Sequence, residues 1–255
     1  MIRGLYTGAS GMLGEMTRTD VISNNLANVN TTGFKKDRAV FRATPEIGIH
    51  RFGDPVTAGL DKTIDPMPFI GILGTGVLVD EINTDFSQGG LQVTSNPLDL
   101  AIRGEGFFEI QTPDGLRYTR DGSFSVDREG FIITKDGHQV LGQNGPIRLL
   151  SEGDVKIDPQ GVVIMGGEVL DTIRVVSFND LDGLTKQGDN LYVSGEAAFE
   201  ADGEVVQGAL EGSNLNTVTE MVDLITAFRA YEASQRVIKT HDETLEKAVN
   251  DIARL

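Results

Sequence analysis

The sequence predicts an α+β protein. Its mainly antiparallel β central domain, a sandwich or irregular barrel of hairpins, is flanked by long N- and C-terminal α-helices that pair as a coiled coil. Three observations carry this. Apolar residues recur three and four apart at both ends of the chain, the spacing of a seam between helices rather than of a broad face on a core. Between the ends lie short runs rich in Val, Ile, Phe and Tyr, separated by Asp-Gly pairs. Glycine is also abundant, at 31 of 255 residues, which suits a turn-rich β region.

The first helix begins at Met1. Ile2, Leu5, Ala9, Met12, Met16, Thr19, Ser23 and Leu26 set its seam. Asn24, Asn25, Asn28 and Asn30 then crowd against Gly33. Asparagine tolerates left-handed backbone angles and bonds its own backbone, so the helix should end here in a defined turn. From Phe34 to about Thr84 the pattern loosens, and Pro45, Pro55, Pro66 and Pro68 rule out a regular helix. This stretch reads as an extended connector with short strands, the clearest at 76–86. From Gly89 to about Gln207, Asp114-Gly115, Asp121-Gly122, Asp136-Gly137 and Asp202-Gly203 punctuate the strands, and Asp-Gly supplies the positive φ of tight hairpin turns. After Gly212 about forty residues contain neither Pro nor Gly. Ser213 or Asn214 is placed to cap this last helix, and Thr217 with Glu220 matches a capping box. Its seam is Met221, Leu224, Phe228, Tyr231, Gln235, Ile238, Asp242, Leu245, Val249 and Ile252. A helix of roughly 35 residues is ~50 Å long, too long for the body to cover, so its apolar side needs partners from outside. The expected division is 1–33, an assembly helix and turn; 34–75, a connector; 76–207, the β domain; and 208–255, a second assembly helix.

Composition excludes several functions. The net charge is −16. Residues 1–42 hold six basic and three acidic side chains, residues 208–255 five and eight, and the middle eleven and twenty-seven. An acidic body argues against nucleic acid, while terminal segments of opposite sign attract each other. Without cysteine there is no disulfide and no thiolate ligand. No stretch approaches the ~20 apolar residues of a membrane span, and the N-terminus lacks the pattern of a cleaved signal peptide. The expectation is a soluble chain with no membrane insertion. His50, His138 and His241 stand apart from any metal motif. FNDLDG at 178–183 lacks the Glu that completes a calcium loop. Gly74, Gly76, Gly104 and Gly106 are too sparse for a phosphate-binding turn. No catalytic, cofactor or metal residue is expected, and the chain does not read as an enzyme. The terminal seams themselves allow two readings: a helix pair that completes one chain, or a polymerisation device. Spacing alone leaves both open; the length of the second helix favours the polymer.

Resemblance adds to this. MIRGLYTGASGM and DVISNNLANVNTTGFKKDRAVF resemble the N-terminal signature of bacterial flagellar rod and hook proteins, with Ser23, Asn24, Asn25, Leu26, Ala27, Asn28, Gly33 and Phe34 as its motif residues. Asn96–Phe108 with Tyr118–Ile132 resembles the family's central β domain, and Leu210–Thr240 its C-terminal helix. The length and single central domain resemble the rod proteins, and no clear insertion of the distal kind follows the first helix, which tilts the reading to the proximal type. The resemblance implies a structural subunit of the basal-body rod. Such a subunit polymerises with itself and with other rod and hook proteins into a tube that carries torque, after passing through the flagellar type III export apparatus. The resemblance implies that it lies in the basal body outside the cytoplasm, without a cleaved signal peptide. Leu5, Ala9, Met12, Met16, Leu26, Met221, Leu224, Phe228, Tyr231, Ile238, Leu245 and Val249 would form the assembly seam. The alternatives are a hook-type axial protein of the same family, or a self-contained acidic β-rich binding module.

Overall fold

The computed structural model describes residues 2–52, 56–58, 62–64, 67–149 and 154–252. In chain order, helix α1 (Ile2–Ala27) comes first and helix α2 (Thr217–Ile252) last, with short antiparallel strands between them in sequence. The class is α+β. Two compact units share the chain. One gathers Met1–Ser23, Arg38–Asn83 and Met221–Leu255; the other gathers Asn24–Asp37 and Thr84–Glu220.

The second unit holds the apolar core. Its central strand, Phe107–Thr112, pairs with Gly115–Thr119 along one edge and with Gln139–Gly142 and Val175–Ser177 along the other. Because side chains alternate along a strand, Phe107 and Phe108 enter different clusters. Phe108 packs with Phe124, Ile132, Val140 and Val175; Phe107 packs with Tyr118, Val176, Phe178 and Tyr192. The second cluster is aromatic, with Tyr118 and Phe178 rings 4.8 Å apart and near perpendicular, a favourable edge-to-face arrangement.

Of the four Asp-Gly pairs that punctuate the strands, two behave as expected. Gly115 (φ 115°) and Gly137 (φ 84°) take positive φ, and Gly115 closes the hairpin opposite Thr112. Gly122 and Gly203 serve close packing instead. A Cβ on Gly122 would collide with the Leu100 carbonyl, and one on Gly203 with the Glu105 carbonyl.

Glu109 faces the aromatic cluster's side of the central strand opposite Tyr118, almost wholly buried, with Arg174 Nε 3.0 Å away. Burial pushes its carboxyl above the ordinary carboxylate range, and Arg174 opposes this only in part. A raised folded-state pKa means stability present at low pH that is lost as pH rises through that pKa. Glu109→Gln removes the titration, so the variant's melting temperature relative to wild type should rise as the pH is raised from the ordinary carboxylate range. A difference independent of pH would contradict this assignment.

The strand Asp37–Ala43 pairs with Val77–Thr84, within the 76–86 stretch expected to be a strand, and all of both but Asp37 and Thr84 lies in the first unit. Between them, Ile47–His50 and Phe69–Leu73 form a two-stranded ribbon. Here Thr7 Oγ1 donates to the Thr75 carbonyl, and the Ser10 hydroxyl accepts from the Val77 amide.

The helix ends differ in detail from expectation. After α1, the Asn28 amide donates to the Asn24 and Asn25 carbonyls, and Asn28 Nδ2 donates to the Asn24 carbonyl. The asparagines therefore bond the backbone as expected, but Gly33 (φ 67°), not an asparagine, takes the left-handed conformation. At the start of α2, Asn216 Oδ1 accepts from the Val218 and Thr219 amides. Asn216 is thus the cap, which frees Asn214 and Glu220 for other contacts.

Candidate assembly site

The two helices run antiparallel along a face of small residues. Gly4 lies against His241, Gly8 against Ile238 and Gly11 against Ser234; a Cβ on Gly8 would sit 3.1 Å from Ile238 Cγ1. Glycine gives a helix its poorest interior propensity, about 1 kcal/mol worse than Ala, so three of them on one face reflect a need for close approach. Gly8→Leu is expected to push α1 off α2 and destabilise the pair by about 1–3 kcal/mol, read as earlier loss of helical circular dichroism on heating. An unchanged helical melt would show that the helices do not depend on this face.

The seam read from the sequence divides across two faces. Leu224, Tyr231, Ile238 and Leu245 are half-buried, as are Leu5, Ala9, Met12 and Leu26. Met16, Met221, Phe228 and Val249 point outward. The first turns of α2 are the most open, with Val218 71 %, Val222 57 % and Phe228 55 % exposed, and α1 exposes Tyr6 and Leu13 beside Met16. A contiguous patch of large apolar side chains is the usual mark of an interaction site, and Val218, Val222 and Ile225 recur three and four apart on α2.

The motif residues lie in the second unit, apart from Ser23, which is exposed on α1. Asn24 and Ala27 are exposed, and Leu26 and Asn28 half-buried, while Asn25, Gly33 and Phe34 are buried. Asn25 clamps the strand that follows: its Nδ2 donates to the Asp37 carbonyl at 2.8 Å and its Oδ1 accepts from the Asp37 amide at 2.9 Å. Nδ2 also reaches Glu220 Oε2 at 3.4 Å, joining the last turn of α1 to the first turn of α2. Asn25→Ala leaves both Asp37 backbone groups without these partners and is expected to cost about 1–3 kcal/mol in urea denaturation; a loss under about 0.5 kcal/mol would overturn the clamp.

Residues not among the expected assembly positions complete this junction. Lys35 Nζ meets Glu211 Oε1 at 2.5 Å and the Ser87 carbonyl at 2.8 Å. Arg120 donates to Glu211 Oε2 at 3.3 Å and to the Gly104 carbonyl at 2.9 Å. The side chains of Lys35 and Glu211 are fully buried. Burial pushes the Lys35 ammonium and the Arg120 guanidinium below their ordinary pKa values, while Glu211 pulls both back up. Lys186 stacks 4.4 Å from the Phe34 ring and pairs with Asp37 at 2.8 Å. The sequence places Lys35, Arg120 and Glu211 in three separate family-like stretches and gives no sign that they meet.

Among the described residues no group of His, Asp and Glu is placed to hold a metal ion, and no helix is long and apolar enough to cross a membrane. The clustered chemistry is that of contact and anchoring.

Comparison with known proteins agrees. Residues 5–35 match the family described as flagella basal body rod protein. Residues 101–165 match the flagellar hook protein FlgE/F/G D1 domain, and 206–251 the flagellar basal body rod FlgEFG protein C-terminal family. The flagellar basal-body rod protein FlgG of Bacillus subtilis is 37% identical over 98% of this chain and 99% of its own. FlgG of Caulobacter vibrioides is also 37% identical, over 96% of this chain and 97% of its own, and FlgF of the same organism is 34% identical over 100% and 98%. A terminal helix pair with open apolar faces, the Asn-rich anchor and relatives matched from end to end lead to one assignment: the chain belongs to the flagellar basal-body rod protein family.

Proposed function

We propose that this protein is a structural subunit of the flagellar basal-body rod. It assembles with copies of itself and with other rod and hook proteins through its terminal helices and carries torque along the tube they form. The observation that supports this best is the open apolar face of α2 at Val218, Met221, Val222, Ile225 and Phe228, on a 36-residue helix. At ~25 cal/mol per Å² of apolar surface removed from water, covering that face by neighbours favours assembly. The two-stranded ribbon adds Phe69, Ile70 and Ile72, each exposed, and an isolated ribbon of this kind is marginal in water without a partner.

In this reading 76–207 is the outer body, 1–33 and 208–255 are the assembly segments, and 34–75 connects them. The helices pair as a coiled coil, and the hairpins close into a sandwich-like or irregular barrel. The subunit reaches the basal body through the flagellar export apparatus without a cleaved signal peptide, binds no nucleic acid, inserts into no membrane and catalyses no reaction. Relatives named FlgG and one named FlgF both span the chain, which supports a rod subunit of either type over a hook-type one. Clean deletion of a sole gene copy should abolish motility and leave basal bodies without a complete rod. Normal motility in that strain would sink the proposal.

A further inference from the structure

Glu211 is where three stretches of chain meet: the strap 28–37 after α1, the segment 84–90, and the segment 209–220 that leads into α2. We infer that Glu211 sets an order of docking, in which the N-terminal strap seats on the β domain only after the C-terminal segment is in place. The charges buried there, Lys35 and Arg120, favour that order, because Glu211 is the anion that both meet. Segment 209–211 is held by the sheet itself, with Ala209 opposite Val93 and Glu211 opposite Leu91, and the Gly212 amide donates to the Gly90 carbonyl. Its carboxylate keeps Arg120 and the Gly89 amide as partners whether or not the strap is present.

The strap has bonds of its own to the β domain, Thr32 Oγ1 to Asp121 Oδ1, Asn190 Nδ2 to the Thr32 carbonyl and Lys186 Nζ to the Lys35 carbonyl, but three of its donors depend on the C-terminal segment. Its Gly33 amide donates to the Glu211 carbonyl, its Lys35 ammonium to the Glu211 carboxylate, and its Lys36 amide to Asn214 Oδ1. Phe34 is the only large apolar side chain that 28–37 buries. Seating the strap without Glu211 would bury the Lys35 charge beside Arg120 with no anion between them, a penalty of the kind that excludes unpaired buried charges. A chain delivered N-terminus first therefore holds the strap unseated until residue 211 has emerged.

Hydrogen exchange on the full-length chain tests this. Glu211→Gln keeps the shape and removes the anion. The Gly33 and Lys36 amides should exchange at least about tenfold faster, while the amides pairing 91–93 with 209–212 change by less than about threefold. The reverse perturbation, Asn25→Ala, should loosen the strap and leave 209–212 protected. Unchanged strap exchange in Glu211→Gln overturns the order, as does loosening of 209–212 by Asn25→Ala equal to that of the strap. If Glu211→Gln does not fold, Asn214→Ala serves in its place. It should speed the Lys36 amide without freeing 209–212, and an unaltered Lys36 amide overturns the inference.

Discussion

Glu211→Ala should lower the stability of the purified chain by about 3–5 kcal/mol, the usual cost of removing one partner from a buried ion pair. The size follows from what is left behind. Lys35 is fully buried and the Arg120 side chain nearly so, at 5 % exposed. Both would face each other without the carboxylate, and the Gly89 amide would lose its acceptor as well. Lys35→Met makes the contrast. It removes a charge rather than orphaning one, keeps the Glu211–Arg120 pair and fills similar space, so its expected cost is under about 1.5 kcal/mol. Urea denaturation of the two variants side by side decides the matter. Equal losses would mean that the junction depends on packing and that its charges are incidental.

Phe228→Asp is expected to leave the isolated subunit folded and to abolish motility. Phe228 is exposed in the single chain, and surface changes away from caps and cores usually alter stability by less than about 0.5 kcal/mol. Within an assembly the same position would place an unpaired carboxylate in a desolvated contact, where a charge without a partner is strongly unfavourable. The readouts are the thermal melt of the purified protein, expected unchanged, and swarming of a strain carrying the variant, expected lost. A swarming variant would show that this face of α2 stays in water. A collapsed melt would show that Phe228 belongs to the subunit's own core.

The helices were legible because helical periodicity survives in any window of the sequence. Their facing sides were harder to read. A search for apolar spacing passes over Gly4, Gly8, Gly11 and Ser234, the residues that let the helices touch, and so it merges the inward row at Leu224, Tyr231 and Ile238 with the outward row at Met221 and Phe228. The Asp-Gly pairs showed a similar limit. Positive φ and close backbone approach both select glycine, and the sequence alone does not tell Gly115 from Gly122. Asn25 and Phe34 came with a recognisable motif. Glu211 and Arg120 also fall in stretches that resemble the family, but their pairing with Lys35 was not legible, because Lys35 meets Glu211 across 176 positions of sequence and no local pattern registers a pairing that distant.

The glycine-faced contact between α1 and α2 also has a mechanical meaning. Two slender rods that can slide along each other bend independently, and their stiffnesses merely add. Rods keyed together along their length bend as one thicker beam, because one must stretch while the other shortens. Gly4, Gly8 and Gly11, set against His241, Ile238 and Ser234, are teeth of such a key. A larger residue there would weaken the contact and would also turn a beam back into two loose fibres.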